Sequence, residues 1–328
     1  MAQLTYRQAV AAGIAQEMER DPTVVCIGED VAAAGGVFKA TEGLLARFGP
    51  DRVRDMPISE QAIVGAVMGA AMTGLRPIGE LMFSDFFAVA WDLVANQIAK
   101  ARYMTDGQIS LPLVLRTANG GGLRFGAQHS QSVENWVMAI PGLKVVAPST
   151  PVDVVGLLAA AIRDPDPVIF CEHKGLYAAK GDVPDGEIVD ELGTARTVRA
   201  GSDVTIVALA AMVPRAVEAA DRMYATDGTD AEVIDLRSLV PLDTRAILSS
   251  VERTSRLVTV EENPRLLGWG AEIASIVAEE GFDHLDAPIV RITAPHIPLP
   301  ATALLEDLAI PSVERIMNEL RRTLDVGR

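Results

Sequence analysis

The sequence is poor in several things, and each shortage narrows the reading. It has only two cysteines, Cys26 and Cys171, both inside apolar strand-like runs. That excludes a disulfide framework and fits buried free thiols in a reducing, cytoplasmic compartment. Basic residues are outnumbered, 29 Lys and Arg against 44 Asp and Glu, for a net charge of −15. A nucleic-acid partner needs a basic footprint for its phosphates, so that class is set aside. The apolar runs are all interrupted well short of the ~20 residues that cross a bilayer, so no membrane span is expected. The start, MAQLTYRQAVAAGIAQEMERD, has acids and no basic-then-apolar order, unlike a signal peptide. His129, His173, His284 and His296 show no paired ligand spacing of the HExxH kind, which argues against a zinc centre. Low-complexity tracts and short-period repeats are also missing.

What remains is a chain of 328 residues, 49% hydrophobic, long enough for two cores. Thr5 caps a first helix to about Arg20, and VVCIG (24–28) is an apolar run that ends in Glu29-Asp30. A helix is expected near 42–48, and a long helix from Ser84 or Asp85 to Met104. Strands are expected at 52–56, 77–82, 111–117, 143–147 and 168–171, with a helix at 151–163. Strands alternating with helices mean a parallel α/β sheet. Residues 178–202 hold Gly, Pro and charges without apolar blocks, and read as an interdomain connection. A second alternation follows, with strands at DVTIVALA, AEVIDL, RLVTVEE and PIVRIT and a last helix at about 312–324. The division expected is therefore a domain over 1–180, a linker over 181–202 and a smaller α/β domain over 203–328.

Around residues 54–87, RDMPISEQAIVGAVMGAAMTGLRPIGELMFSDFF, the chain has its most distinctive stretch. Ser59 is a good N-cap, and Glu60 stands in the first helical turn, where a carboxylate suits the dipole. From Gln61 to Thr73 the residues are almost all apolar or small, as in a buried helix. Glu60 can be read as a dipole complement or as a site carboxylate. Gly120-Gly-Gly-Leu-Arg-Phe-Gly126 misses the dinucleotide fingerprint by one position, and the run 69–75 lacks the Lys and Ser/Thr of a P-loop. A substrate loop is the better reading of 118–132, with a nucleotide-binding or non-catalytic partner subunit as the alternative class. His129 sits in that polar loop between Gln128 and Ser130, and reads either as an acid–base or hydrogen-bonding group or as an exposed loop histidine.

Several blocks then carry a resemblance: PISEQAIVGAVMGAAMTGLRPIGELMFSDF, AQHSQS, PGLKVVAPSTPVDVVGLLAAAIRDPDPVIFCEHK, LRSLVPLD, VEENPRLLGWGAEIA and PLPATALLEDLAIPS. Together they resemble the β subunit of the thiamine-diphosphate-dependent E1 component of 2-oxo acid dehydrogenase complexes. The PSTP, DPVIFCEHKGLY and PHIPLP blocks are most similar to the acetoin and pyruvate branch, with branched-chain 2-oxo acids as the other substrate class. The resemblance implies an N-terminal thiamine-pyrimidine-binding domain and a C-terminal transketolase-type domain. It implies an α2β2 heterotetramer that passes acyl groups to a lipoyl-bearing E2 core. It further implies that magnesium and the diphosphate are held by a GDG…N motif of the α subunit, and no GDG occurs in this chain.

Carried over residue by residue, Glu60 matches the carboxylate that shares a proton with N1′ of the aminopyrimidine. Ile58, Met82 and Phe86 match positions that pack on the pyrimidine ring, and Glu29 matches an acid near the cofactor. His129 matches an active-site histidine that hydrogen-bonds the substrate or the lipoyl intermediate. Val89 stands where some members have a polar residue, and is left out of the site. Leu113, Ala161, Ile162, Asp164 and Asp166 match positions that hold a structural potassium ion, mostly through backbone carbonyls.

Overall fold

A computed structural model describes residues 1–325. It divides into two compact units: residues 1–119 with 136–192, and residues 120–135 with the chain from Gly193 onward. In chain order the strands are β1 (Ala2–Thr5), β2 (Val24–Gly28), β3 (Val53–Asp55), β4 (Arg76–Leu81), β5 (Val114–Asn119), β6 (Lys144–Val146), β7 (Val168–His173), β8 (Lys180–Val183), β9 (Arg196–Arg199), β10 (Val204–Ala208), β11 (Ala231–Asp235), β12 (Ser238–Val240), β13 (Leu257–Pro264) and β14 (Val290–Ala294). The α-helices are α1 (Tyr6–Arg20), α2 (Leu44–Phe48), α3 (Glu60–Met72), α4 (Ala101–Met104), α5 (Glu134–Met138), α6 (Pro151–Arg163), α7 (Met212–Asp227), α8 (Thr244–Thr254), α9 (Trp269–Glu280), α10 (Ala303–Ala309) and α11 (Val313–Asp325).

In the first unit the strands run parallel in the order β6-β7-β5-β4-β2-β3. Strands β2, β5 and β7 are buried along their length, as expected of strands covered on both faces. Helix α1 starts at a capping box, with Thr5 and Gln8 exchanging bonds. It lies against α6 so closely that a Cβ on Gly13 would stand 3.3 Å from both Leu158 and Val155. On the other face, a Cβ on Gly79 would come within 2.7 Å of Val67, so α3 can lie on β4 only because residue 79 is glycine.

The second unit is a sheet in the order β14-β13-β10-β11-β9, parallel except for β9. Its core joins Ile206, Val233 and Val258 to Ala216 and Met223 of α7 and to Ile316 and Leu320 of α11.

Three sequence expectations are corrected by the structure. Segment 84–104 is not one α-helix. It is 3₁₀ over Ser84–Ala90, a wide π turn over Leu93–Ile98, and an α-helix over Ala101–Met104. Just after the π turn, the backbone of Gly142 abuts the Ala99 carbonyl so tightly that no Cβ would fit. Helix α3 is not buried all round: Gln61, Ala62, Gly69 and Met72 are exposed and Ile63, Val64 and Val67 are buried. Uniformly apolar composition gives no periodicity from which the covered face could be read. Finally, 178–202 holds two strands, β8 paired antiparallel with β1, and β9. Both are short and polar, so they lack the apolar alternation that marks a strand.

Candidate functional site

In the first unit, adjacent strands β4, β2 and β3 all end at one edge, and the candidate residues follow those ends. Register pairs Gly28 with both Asp55 and Glu80. Glu29 follows β2 directly. After β3 the Met56 N–H bonds the Gly28 carbonyl at 2.8 Å, which turns the chain into Pro57 and Ile58. Ser59 then caps α3 through the Ala62 N–H, and Glu60 is the first helical residue, 9% exposed. Met82 follows β4, and Phe86 lies in the 3₁₀ turn beyond it; both are half-buried. Ile58 is exposed. The carboxyl ends of parallel strands are the edge at which such sheets bind ligands.

The electrostatics agree with this grouping. Burial pushes the Glu29 carboxyl above its ordinary range, and the charges of Glu60 and Asp30 push the same way. Two carboxylates that feel each other beside a helix N-terminus can share protons with a basic ligand nitrogen.

The proposed potassium ligands also come together, at the opposite edge of the same sheet. Leu113 precedes β5, Ala161 and Ile162 lie in the last turn of α6, Asp164 is its C-cap, and Asp166 lies just before β7. Their oxygens already have partners. The Leu113 carbonyl accepts from the Val168 N–H at 3.0 Å, and the Ile162 carbonyl from Arg76 at 2.8 Å. Lys144 bonds both Asp164 carboxylate oxygens at 2.6 and 2.7 Å. Arg102 pairs with Asp166. These are hard oxygen donors, the type that alkali cations take, and each carbonyl keeps a second lone pair. Among the described residues no group of three or more His, Cys, Asp or Glu could hold a metal ion.

His129 belongs to the second unit. Its loop, Gly120–Asn135, follows β5 and groups with the C-terminal half. His129 is half-buried and its N–H bonds the Gly126 carbonyl at 3.3 Å. Sequence reasoning missed three side chains that hold this loop: Glu262, Asn263 and Glu306. They lie more than 125 residues from it, and nothing local in ENP or LLEDLA points back to the loop.

Among the described residues no helix is long and apolar enough to cross a membrane. Residues 2–180 match the model of the transketolase pyrimidine-binding domain, and residues 193–316 that of the transketolase C-terminal domain. The chain is 48% identical to the acetoin:2,6-dichlorophenolindophenol oxidoreductase subunit β of Cupriavidus necator, over 99% of this chain and 98% of that one. It is 47% identical to the protein of that name from Bacillus subtilis, over 96% and 95%. It is 46% identical to the pyruvate dehydrogenase E1 component subunit β of Rickettsia conorii, over 98% of each. Among solved structures, a split-gene transketolase described as an inactive β4 tetramer superposes with a TM-score of 0.81 at 25% identity, over 99% of both chains. With both transketolase domains present in order and full-length relatives of this kind, the chain belongs to the E1 β subunits of the thiamine-diphosphate-dependent dehydrogenase complexes.

Proposed function

We propose that this chain, assembled with an α subunit as α2β2, decarboxylates pyruvate or cleaves acetoin and passes the resulting two-carbon unit to a lipoyl group on an E2 core. The observation that carries the proposal is the placing of Glu60: a buried carboxylate at the head of α3, coupled to Glu29, at the carboxyl edge of β4, β2 and β3. The names of the relatives favour acetoin and pyruvate as substrates.

Thiamine diphosphate, when bound, supplies the nucleophilic carbon and the electron sink for decarboxylation. This chain would bind its pyrimidine end. Glu60 holds or accepts the proton at N1′, and Glu29 places a second acid beside it. Met82 and Phe86 offer half-buried apolar surface for the ring, and Ile58 offers exposed apolar surface from the loop ahead of α3. His129 donates or accepts a hydrogen bond during acyl transfer. Magnesium and the diphosphate fall to the α subunit, which makes activity depend on that partner.

A potassium ion among Leu113, Ala161, Ile162, Asp164 and Asp166 belongs to the same proposal. Lys144 and Arg102 already balance the two carboxylates, so the ion would rest chiefly on carbonyl oxygens. It would be structural, since its edge of the sheet is not the Glu60 edge. A melting temperature that rises in potassium but not in sodium or choline chloride at equal ionic strength supports it; equal melting in all three removes it.

The test of the whole proposal is an assay of the chain co-expressed with its α subunit on pyruvate, acetoin and 3-methyl-2-oxobutanoate. Acceptor reduction with either of the first two supports the reading. Preference for the branched substrate overturns the substrate assignment.

A further inference from the structure

Glu306 is a fully buried carboxylate on a seven-residue helix. A carboxylate held out of water must be paired and hydrogen-bonded. Its partners all come from the loop that carries His129. The Gly122 N–H donates at 2.9 Å, the Arg124 N–H at 3.1 Å and Arg124 Nη1 at 2.6 Å. The same guanidinium reaches Asp307 through Nη2 at 2.7 Å.

A second strap lies at the loop's two ends. Glu262 accepts from the Gly121 N–H and from Ser132 Oγ, the latter at 3.2 Å. Asn263 Nδ2 donates to the Ser132 carbonyl at 2.9 Å. In the chain His129 falls between Arg124, held by Glu306, and Ser132, held by Glu262 and Asn263.

Left to itself, this stretch would not hold one path. Gly120, Gly122 and Gly126 all have φ between +75° and +89°, and Arg124 has φ of +68°. Glycine backbone is the freest there is, and a non-glycine residue in the left-handed region is strained by its Cβ. Glu306 compensates at that very residue, binding both its N–H and its side chain. Gly121 is pressed so close to Leu299 that a Cβ would stand 2.9 Å from its Cδ1.

We propose that Glu306, with Arg124 as its counter-charge, is a positioning residue for His129. It fixes the path of the loop and so presents the imidazole in one place for acyl transfer. The inference rests on the role assigned to His129 above.

The test uses the assembled α–β complex and four proteins: wild type, His129→Ala, Glu306→Gln and the double variant. Glutamine keeps the volume but turns an N–H donor toward the loop's own donors. Misplacing a reacting group by about 1 Å costs on the order of 10²-fold. Glu306→Gln should therefore lower kcat for lipoyl acylation by roughly 10- to 100-fold, with the KM for thiamine diphosphate held within about twofold. The double variant should be no slower than His129→Ala alone. Losses that multiply, or a wild-type kcat in assembled Glu306→Gln, overturn the proposal.

Hydrogen exchange over residues 120–135 separates the strap from the role of His129. Lost protection in Glu306→Gln supports the strap even where His129→Ala proves fully active, a result that would instead remove the assignment of His129. Unchanged protection overturns the strap. Should Glu306→Gln fail to assemble, Arg124→Ala removes the counter-charge and leaves the two backbone bonds. A smaller drop in kcat, again without effect in the His129→Ala background, is then expected, and no drop at all overturns the proposal.

Discussion

Arg116 grips Glu172 with both sides of its fork, Nε at 2.6 Å and Nη2 at 2.9 Å from the two carboxylate oxygens, in the middle of the first unit's sheet. Arg116 Nη1 reaches Glu80 at 2.7 Å, and the Tyr177 hydroxyl donates to Glu172 at 2.9 Å. Glu80 lies on β4 next to Gly79, so it faces away from α3. Arg116 and Glu172 lie on β5 and β7, and the network ties the three strands together under the edge that carries the candidate site. Burial raises the Glu80 carboxyl, with Arg116 opposing it. Burial also disfavours the charge on Arg116, yet Glu172 and Glu80 together hold its guanidinium protonated well above the ordinary value.

From this follows the first prediction. Arg116→Met leaves the buried Glu172 and the largely buried Glu80 without their cation. Breaking a buried pair in this way costs roughly 3–5 kcal/mol, read as a lower urea midpoint of the assembled protein at neutral pH. A variant within about 1 kcal/mol of wild type, the worth of a surface pair, would show that the network is not a stabilising element.

That network marks where the sequence stops being informative. Arg116 stands in LPLVLRT, a run whose strand character is plain, and nothing in it says that an arginine there is buried. Its partners are 36 and 56 residues away in the chain, and only the parallel register brings them together. Helix α6 was legible to the residue, because Thr150, Pro151 and Asp153 form a start signal and Asp164 stops it. The place of Glu60 was legible for the same reason, as Ser59 announces the helix it heads. Segment 84–104 was not, because nothing local in it announces the change from 3₁₀ to π to α turns. The glycines and polar residues around His129 mark that stretch as a loop. Its attachment to Glu306 depends on a contact across 184 residues, which no local pattern encodes.

Glu29 gives a prediction with a defined sign. Its carboxyl is raised in the folded chain by burial first, then by Glu60 and Asp30. The folded state therefore binds this proton more tightly than the unfolded chain, whose glutamates titrate near 4.3. Stability falls as pH rises from about 4.3 through the higher folded value, and the penalty is complete above it. Glu29→Gln should thus raise the melting temperature at neutral pH, and the difference should shrink to nothing as the pH is taken below about 4. A difference that is constant across the titration would mean that the charge of Glu29 is not what destabilises.

Glu60→Gln should keep the fold and the assembly, since the amide can still sit at the head of α3 behind the Ser59 cap. It cannot shuttle a proton at N1′. Positioned acid–base groups contribute on the order of 10²–10⁴-fold, so the kcat of the reconstituted complex should fall by that amount. Circular dichroism and sedimentation would verify assembly. Near wild-type turnover in a correctly assembled variant would remove Glu60 from the chemistry.

The last prediction concerns the partner. A thiazolium cofactor has two ends, and its diphosphate needs a divalent cation held by oxygen ligands. The residues gathered at the carboxyl edge of β4, β2 and β3 suit the pyrimidine end: a buried carboxylate, a second acid and apolar side chains. The proposal therefore expects the purified chain alone to bind thiamine diphosphate with magnesium only weakly, and to leave 2-oxo acids and acetoin unchanged. Adding the α subunit should restore both binding and turnover. Calorimetric titration of the cofactor into the lone chain and into the mixed complex, each with and without magnesium, measures this directly. Micromolar, magnesium-dependent binding to the lone chain, accompanied by turnover, would place a complete diphosphate site in this chain and refute the division of labour between the two subunits.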